Sequence, residues 1–104
     1  MSDINPLIAE IKQSTDYQIN KRILREKILT DLHVTYNNGM FKVTTDLLSF
    51  LATWPSDQLY LEDVYQNPIE IQRDELLALC RDHYQRAMNT WHTQHNELKK
   101  IRKI

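Results

Sequence analysis

Four histidines and one cysteine are the residues of this chain best suited to metal chemistry, and most of them fall into two short pairs. Cys80 and His83 are three residues apart, and so are His92 and His95, a spacing found among zinc ligands. Twelve residues separate the starts of the two pairs. That is about 18 Å along a helix, whereas a zinc ion needs its ligands within about 2.3 Å. The spacing therefore predicts polar positions on a helix and no metal site.

Nucleophilic and acid–base chemistry find no better support in the residue pattern. Cys80 falls on an apolar seam, where its thiol stays protonated, and no acidic residue is spaced to orient His83. Glu62 and Asp63 are adjacent in sequence, so their carboxylates point in different directions. A single glycine excludes a glycine-rich phosphate-binding loop. We therefore expect no catalysis and no cofactor; a metal-dependent enzyme would need the zinc site rejected above.

Exposed aromatic and amide side chains offer a different chemistry, the stacking and hydrogen bonding of single-stranded bases. Trp54 lies in a turn beside Pro55, and Gln58, Gln72 and Arg73 lie at or near the ends of predicted strands. These residues make nucleic-acid binding a hypothesis. The alternative is that Trp54 only closes the end of a small β-barrel.

Composition limits how such binding could work. The chain has 104 residues, the size of one domain, with a net charge of −1 and a pI of about 6.4. Strong, indiscriminate binding of polyanions comes from many basic residues that release counterions, so any nucleic-acid contact must be local. The sequence has no apolar run of the ~20 residues that span a bilayer and no signal-peptide pattern, and we expect a cytoplasmic protein.

The middle of the chain, residues 32–72, reads as short strands joined by tight turns. Apolar alternation on both sides of Asn37-Asn38-Gly39 predicts a hairpin, because such turns require positive φ, which Asn and Gly accept at low cost. Thr45–Leu51 suits a strand or a capped helix, and we favour a strand. Two further strands are predicted at 59–64 and 69–72, separated by a turn at Gln66-Asn67-Pro68.

Helices are predicted on both sides, over 1–31 and 73–104, within a single domain of 1–104. The first helical region begins at Pro6, is interrupted near Ser14, and continues from about Asp16 to Thr30; the alternative is one bent helix. Its predicted inward residues are Ile19, Ile23, Leu24 and Ile28.

The C-terminal helix carries a seven-residue repeat. Leu77, Tyr84, Trp91 and Leu98 recur at this interval and are predicted to pack on another helix, either the N-terminal one or that of a neighbouring subunit.

The central motifs together resemble those of the Sm/LSm family. Asn38-Gly39 with Phe41 matches the aromatic-flanked turn of that family, and Phe50 resembles the aromatic that closes its first motif. Leu61–Val64 and Ile69–Arg73 resemble the strands that follow. The family's usual glycine in the second strand is absent, and the loop at 53–58 is longer. The chain as a whole is also similar to short proteins of marine cyanophages, which would place it in the host cytoplasm.

The Sm-like resemblance implies an α+β fold: a small, strongly bent, five-stranded antiparallel, SH3-like barrel with an N-terminal helix and a long C-terminal helix. It also implies a homo-oligomeric ring, in which edge strands of neighbouring barrels pair and RNA or single-stranded DNA is held near the pore. By position, the binding residues would be Trp54, Asp57, Gln58, Gln72 and Arg73. The alternative function is a phage structural or assembly adaptor that acts only through protein–protein contacts.

Overall fold

Three helices and four short strands make up the part of the chain that the structure describes, a computed structural model of residues 6–102 with side chains described for residues 14–101. In order they are α1 (Pro6–Thr30), β1 (His33–Tyr36), β2 (Gly39–Lys42), α2 (Thr45–Thr53), β3 (Gln58–Glu62), β4 (Pro68–Gln72) and α3 (Arg73–Arg102). The predicted α+β class, N-terminal helix and long C-terminal helix are confirmed. Within these residues, no helix combines the length and apolar character needed to cross a bilayer.

The predicted five-stranded barrel is wrong. The four strands in residues 6–102 form two separate two-stranded antiparallel sheets, β1–β2 and β3–β4. Thr45–Leu51, predicted as a strand, belongs to helix α2. The Thr44 hydroxyl accepts a hydrogen bond from the Leu47 N–H at 3.0 Å, and Asp46 lies in the first turn. These helix-start signals outweigh the strand character of the apolar run, and without that strand a ring built from barrel edges no longer follows.

The predicted first hairpin is present, but its turn runs through Asn37 and Asn38 and not through Asn-Gly, so the glycine has a different role. Asn37 and Asn38 adopt φ of 48° and 66°, which makes a two-residue turn between Tyr36 and Gly39. Gly39 itself does not have positive φ. A Cβ at this position would lie 2.7 Å from Cγ1 of Ile69, so the glycine lets the second hairpin approach the first.

The second hairpin has one buried and one exposed face. Leu59 and Ile71 are opposite each other in the register and are buried, while the neighbouring pair Tyr60 and Glu70 is exposed. This alternation follows from the two-residue period of a strand. The connection between the strands contains Gln66 at a φ of 66°.

The carboxylate of Asp63 joins the two hairpins. Its Oδ1 accepts hydrogen bonds from the N–H groups of Tyr65 at 3.0 Å and Asn67 at 2.9 Å, which shapes the β3–β4 connection. Its Oδ2 accepts one from the Met40 N–H of β2 at 3.2 Å, and the Val64 N–H donates to the Met40 carbonyl at 2.9 Å. The Asn67 bond is the largest cause of a lowered Asp63 pKa, and the Met40 and Tyr65 bonds act in the same direction against the effect of burial.

A single hydrophobic core lies between the hairpins, α2 and the start of α3. Three of its buried residues, Leu76, Leu77 and Cys80, come from the first turns of α3. The other buried members are Leu32, Val34, Phe41, Val43, Leu51, Leu59 and Ile71. We refer to residues 31–75, which surround this core, as the head.

Beyond the core, α1 and α3 pack against each other and extend away from the head. We refer to α1 together with residues 76–102 as the arm. The 30 residues of α3 correspond to about 45 Å of helix, and the molecule measures 68 × 23 × 19 Å. Its radius of gyration is 19.9 Å, compared with about 13 Å for a compact domain of this length. Helix α1 is continuous through Ser14, so of the two alternatives the single helix is correct and the interruption is wrong.

The predicted inward face of α1 is also partly wrong. Tyr17 and Ile28 are buried and Leu24 is half-buried, whereas Ile19 and Ile23 are 40% and 55% exposed. At 100° per residue, the last two lie on the side of α1 opposite Tyr17 and Leu24. Helix α1 therefore has apolar residues on two sides, and only one of these sides packs on α3.

We expect Gly39→Ala to lower the free energy of unfolding by about 1–3 kcal/mol, because the added methyl group overlaps Ile69. Ile69→Ala removes the atoms involved, so Gly39→Ala should cost at least about 1 kcal/mol less in that background. Urea unfolding of the four proteins in this cycle measures the coupling. Asn38→Gly, which keeps a residue tolerant of positive φ, should change stability by less than about 0.5 kcal/mol. Equal costs of Gly39→Ala in both backgrounds would contradict the close approach.

Asp63→Asn should destabilise the protein at neutral pH, because an amide N–H₂ in place of Oδ2 would face the Met40 donor. The folded-state pKa of Asp63 lies below its ordinary 3.8. The carboxylate therefore stabilises the fold fully above that pH and loses this effect as the pH falls through the lowered pKa.

The difference in urea midpoint between the wild type and Asp63→Asn should be largest near neutral pH and shrink as the pH falls below about 4. Glu62→Gln, which changes the neighbouring exposed carboxylate, is the matched control and should leave the urea midpoint at neutral pH close to that of the wild type. A difference in urea midpoint between the wild type and Asp63→Asn that stays constant as the pH falls below about 4 would show that the carboxylate does not join the hairpins.

Candidate functional site

The structure brings the five predicted nucleic-acid-binding residues to one corner of the head. Gln58 and Gln72 face each other across the β3–β4 register. Arg73 follows Gln72 and contacts both Trp54 and Asp57 in the loop between α2 and β3. The corner is therefore a real cluster in space, built from the α2–β3 loop and the start of α3.

Each of the three nitrogens of the Arg73 guanidinium donates a hydrogen bond within this cluster. Its Nη1 donates to the Trp54 carbonyl at 2.8 Å, its Nη2 to Asp57 Oδ1 at 3.3 Å, and its Nε to Asp74 Oδ1 at 3.0 Å. The Arg73 backbone N–H donates to the Asp57 carbonyl at 2.8 Å. The bond to Asp74 is the largest cause of a raised Arg73 pKa. These contacts fasten the loop 54–57 to the first turn of α3.

Electrostatics at the corner disfavour a phosphate. The carboxylates of Asp57 and Asp74 already pair with Arg73, and Glu75 follows two residues later in the sequence. A phosphate at this corner would compete with these carboxylates for the guanidinium and would be repelled by them. Arg73 thus has a structural role here, and nucleic-acid binding at this corner stays a prediction that no contact in the structure tests.

Gln72 is also used within the fold. Its Oε1 accepts a hydrogen bond from the Glu75 N–H at 2.9 Å, which caps α3, and its own N–H donates to the Tyr36 hydroxyl at 3.3 Å. The Tyr36 hydroxyl in turn donates to Glu75 Oε2 at 2.7 Å. Burial, followed by the bond to Glu75, raises the Tyr36 pKa. These bonds tie β1 to the junction of β4 and α3.

Aromatic residues at the surface of the head are the remaining candidates for binding. The rings of Phe50 and Trp54 lie 5.2 Å apart at 34° to each other, and both are partly exposed. Tyr60 and Tyr65 are more exposed still. Sequence reasoning missed these two tyrosines. The alternation of Leu59 and Leu61 with polar neighbours already indicated that residue 60 points outward.

The candidate metal and nucleophile residues do not form a site. Burial raises the pKa of the Cys80 thiol to about 11, so it stays protonated in the core. In the part of the chain that the structure describes, no three His, Cys, Asp or Glu side chains are grouped so that they could hold a metal ion. His92 lies close to Asn96, with 3.2 Å between Nε2 and Nδ2, along the surface of α3.

The heptad residues of α3 divide between the hydrophobic core and the outer part of the arm. Leu77 is buried in the core, and Tyr84 packs against its margin. Trp91 is half-buried and lines a shallow groove with Lys21 of α1, while Leu98 is half-buried near the far end.

No family model, curated protein or solved structure matches this chain. Its function must therefore be argued from its own geometry and charge.

Arg73→Gln should release the loop 54–57 and lower stability, because it removes the bonds to Trp54 and Asp57. In a Trp91→Phe background, where Trp54 is the remaining tryptophan, acrylamide should quench the fluorescence more strongly after this change. Arg86→Gln is the matched control. Its salt bridge to Asp82 joins side chains that are 75% and 52% exposed, so its loss should cost less than about 0.5 kcal/mol. Unchanged quenching and stability in Arg73→Gln would contradict the fastening role.

Proposed function

We propose that this protein is an assembly adaptor that acts through protein–protein contacts and pairs with a second copy of itself along the arm. The observation that carries the proposal is the uncovered apolar side of α1, on an elongated molecule whose two ends have opposite charge. Three properties support a second copy as the occupant of that side: its position on the arm, the charge distribution and the shape.

The exposed isoleucines give the position of the contact. Ile19 and Ile23 are four residues apart and therefore lie next to each other on one side of α1. An antiparallel pair of α1 helices that crosses near residue 21 would place Ile19 of each copy beside Ile23 of the other. This is the self-complementary contact that a two-fold dimer requires.

Charge favours an antiparallel arrangement of the two copies. The head contains eight acidic and two basic residues, a net charge of −6. The arm contains five acidic and ten basic residues over 6–30 and 76–102, a net charge of +5. In an antiparallel pair each acidic head lies beside the basic arm of the other copy, whereas parallel packing places like charges together.

The elongated shape of the molecule gives a second copy a long surface to contact along α1. Helix α1 has 25 residues, about 38 Å of helix, and it runs along one side of a molecule only 23 × 19 Å in cross-section. Two arms lying side by side can form a four-helix bundle, in which both sides of α1 are covered.

The competing hypothesis of nucleic-acid binding draws less support from this geometry. Its candidate residues lie in a head of net charge −6, and the one arginine among them is bonded to Trp54, Asp57 and Asp74. An adaptor that works through protein contacts predicts no measurable oligonucleotide binding at moderate salt. Fluorescence anisotropy with labelled RNA and single-stranded DNA separates the two hypotheses.

Ile23→Asp should weaken the dimer at least tenfold, because a symmetric contact loses the buried isoleucine twice and gains two buried charges. Sedimentation equilibrium measures the dissociation constant. Asn20→Asp adds the same charge at an exposed position on another side of α1. This control should leave the dissociation constant of the dimer within about threefold of the wild-type value. Far-UV circular dichroism checks that both variants stay helical.

Small-angle scattering tests the arrangement of the dimer. Residue 21 lies about 22 Å from the start of α1, so arms that cross there predict a maximum dimension of about 90 Å. End-to-end contact predicts nearly twice the 68 Å length of one molecule. A monomer at all concentrations, or a dimer that Ile23→Asp leaves unchanged, would contradict the proposal.

A further inference from the structure

The β3–β4 hairpin has one edge that the fold leaves uncovered. In an antiparallel pair, residues alternate between positions that exchange hydrogen bonds with the partner strand and positions whose N–H and C=O point away from it. The Arg73 N–H donates to the Asp57 carbonyl, and the Asp63 N–H donates to the Asn67 carbonyl. Odd-numbered residues of this strand therefore bond to β4. The N–H and C=O groups of Gln58, Tyr60 and Glu62 point to the outer edge of β3.

The opposite edge, on β4, is covered by the first hairpin. The Glu70 carbonyl accepts a hydrogen bond from Asn37 Nδ2 at 3.0 Å, and the Gln72 N–H donates to the Tyr36 hydroxyl at 3.3 Å. Pro68, the third residue whose backbone points that way, has no N–H. The first hairpin thus bonds the Glu70 carbonyl and the Gln72 N–H on this edge, and these contacts agree with the alternation deduced for β3.

The β3 edge has no comparable cover among the described residues. Tyr60 is 73% exposed, and its side-chain neighbours along the strand, Gln58 and Glu62, are exposed as well. The only hydrogen bond shown for these outward backbone groups is a 3.3 Å contact from the Gln58 N–H to the Ser56 hydroxyl. Two consecutive outward positions, Tyr60 and Glu62, therefore offer a donor and an acceptor each. Exposed edges of this kind are templates for an added strand.

We propose that the outer edge of β3 binds an extended, basic segment of a partner protein by strand addition. The partner would form a third strand, in the order β4, β3, partner, with main-chain hydrogen bonds to Tyr60 and Glu62. The inference rests on the proposal that the protein acts through protein contacts, but it does not depend on the dimer.

Charge at the edge selects a basic partner. The outward face of the hairpin has six side chains, of which two are glutamates and none is basic: Gln58, Tyr60, Glu62, Pro68, Glu70 and Gln72. An arginine on the added strand can stack on Tyr60 and pair with Glu62 or Glu70. A second copy fits this edge poorly, because pairing β3 with β3 brings two heads of net charge −6 together.

Amide hydrogen exchange tests the edge directly in the unmodified protein. The Tyr60 and Glu62 amides should exchange rapidly, while those of Leu59 and Leu61, which bond to β4, should be protected. The probe is an eight-residue peptide of alternating arginine and valine. Addition of this peptide should slow amide exchange at Tyr60 and Glu62 and leave the exchange rates of Leu59 and Leu61 unchanged. Protection of Tyr60 and Glu62 in the free protein, or no change on adding peptide to saturation, would overturn the proposal.

Binding of the same peptide to variants separates strand addition from charge attraction. Tyr60→Pro removes an outward N–H that the hairpin does not use, and should weaken peptide binding at least tenfold. Tyr60→Val keeps the backbone N–H and should retain most of the affinity for the peptide. A peptide N-methylated at alternate residues keeps its charge and should also bind at least tenfold more weakly, as should a glutamate–valine peptide. Equal affinity for the N-methylated and unmodified peptides would overturn strand addition.

The oligomeric state distinguishes failure of this inference from failure of the proposed function. Sedimentation equilibrium of Tyr60→Pro should give the wild-type dimer, since the arm is unchanged. Loss of peptide binding with the dimer intact supports the edge. Peptide binding that is lost only together with the dimer would show that the site depends on the arm, and would overturn the assignment to β3.

Discussion

The bonds accepted by the Asp63 carboxylate are the interaction on which the head depends. A two-stranded sheet is marginal by itself, and this head contains two of them with no strand-to-strand ladder between them. One carboxylate shapes the connection of the second hairpin and holds it to β2 of the first. The absence of a side chain at Gly39 lets Ile69 come close enough for the two hairpins to share a core. The two hairpins share few contacts, and the first turns of α3 complete the hydrophobic core between them.

Local signals in the sequence were enough to predict the elements whose geometry is set by neighbours in the chain. The Asn37-Asn38 turn, the alternation around Leu59 and the long helix after Arg73 all follow from turn chemistry and periodicity. Segment Thr45–Leu51 was assigned wrongly because its apolar run suits both a strand and a helix. The cap at Thr44 decides between them only when its hydrogen bond to Leu47 is seen.

Features that depend on long-range contacts could not be predicted in the same way. The bonds of Asp63 do not follow from the sequence, because its donors include Met40, more than twenty residues away. The sequence predicts Arg73 as a nucleic-acid-binding residue and not as a structural one, because its partners Trp54 and Asp57 come from another loop. Ile19 and Ile23 were placed inward since the sequence does not say which side of an apolar helix meets α3. The five corner residues lie together in the fold, and the bonds among them give that cluster a structural role.

The acidic head and the basic arm of one molecule underlie the proposed antiparallel pairing of arms, which is the central claim tested next. A direct measurement is the distance between a spin label on the head of one copy and a label on the far arm of another, using Lys42→Cys and Lys99→Cys proteins mixed in equal amounts. Cys80 is buried and stays unlabelled. Antiparallel pairing predicts an intermolecular distance comparable to the 23 Å width of the molecule. A distance approaching its 68 Å length, or no intermolecular signal, would contradict it.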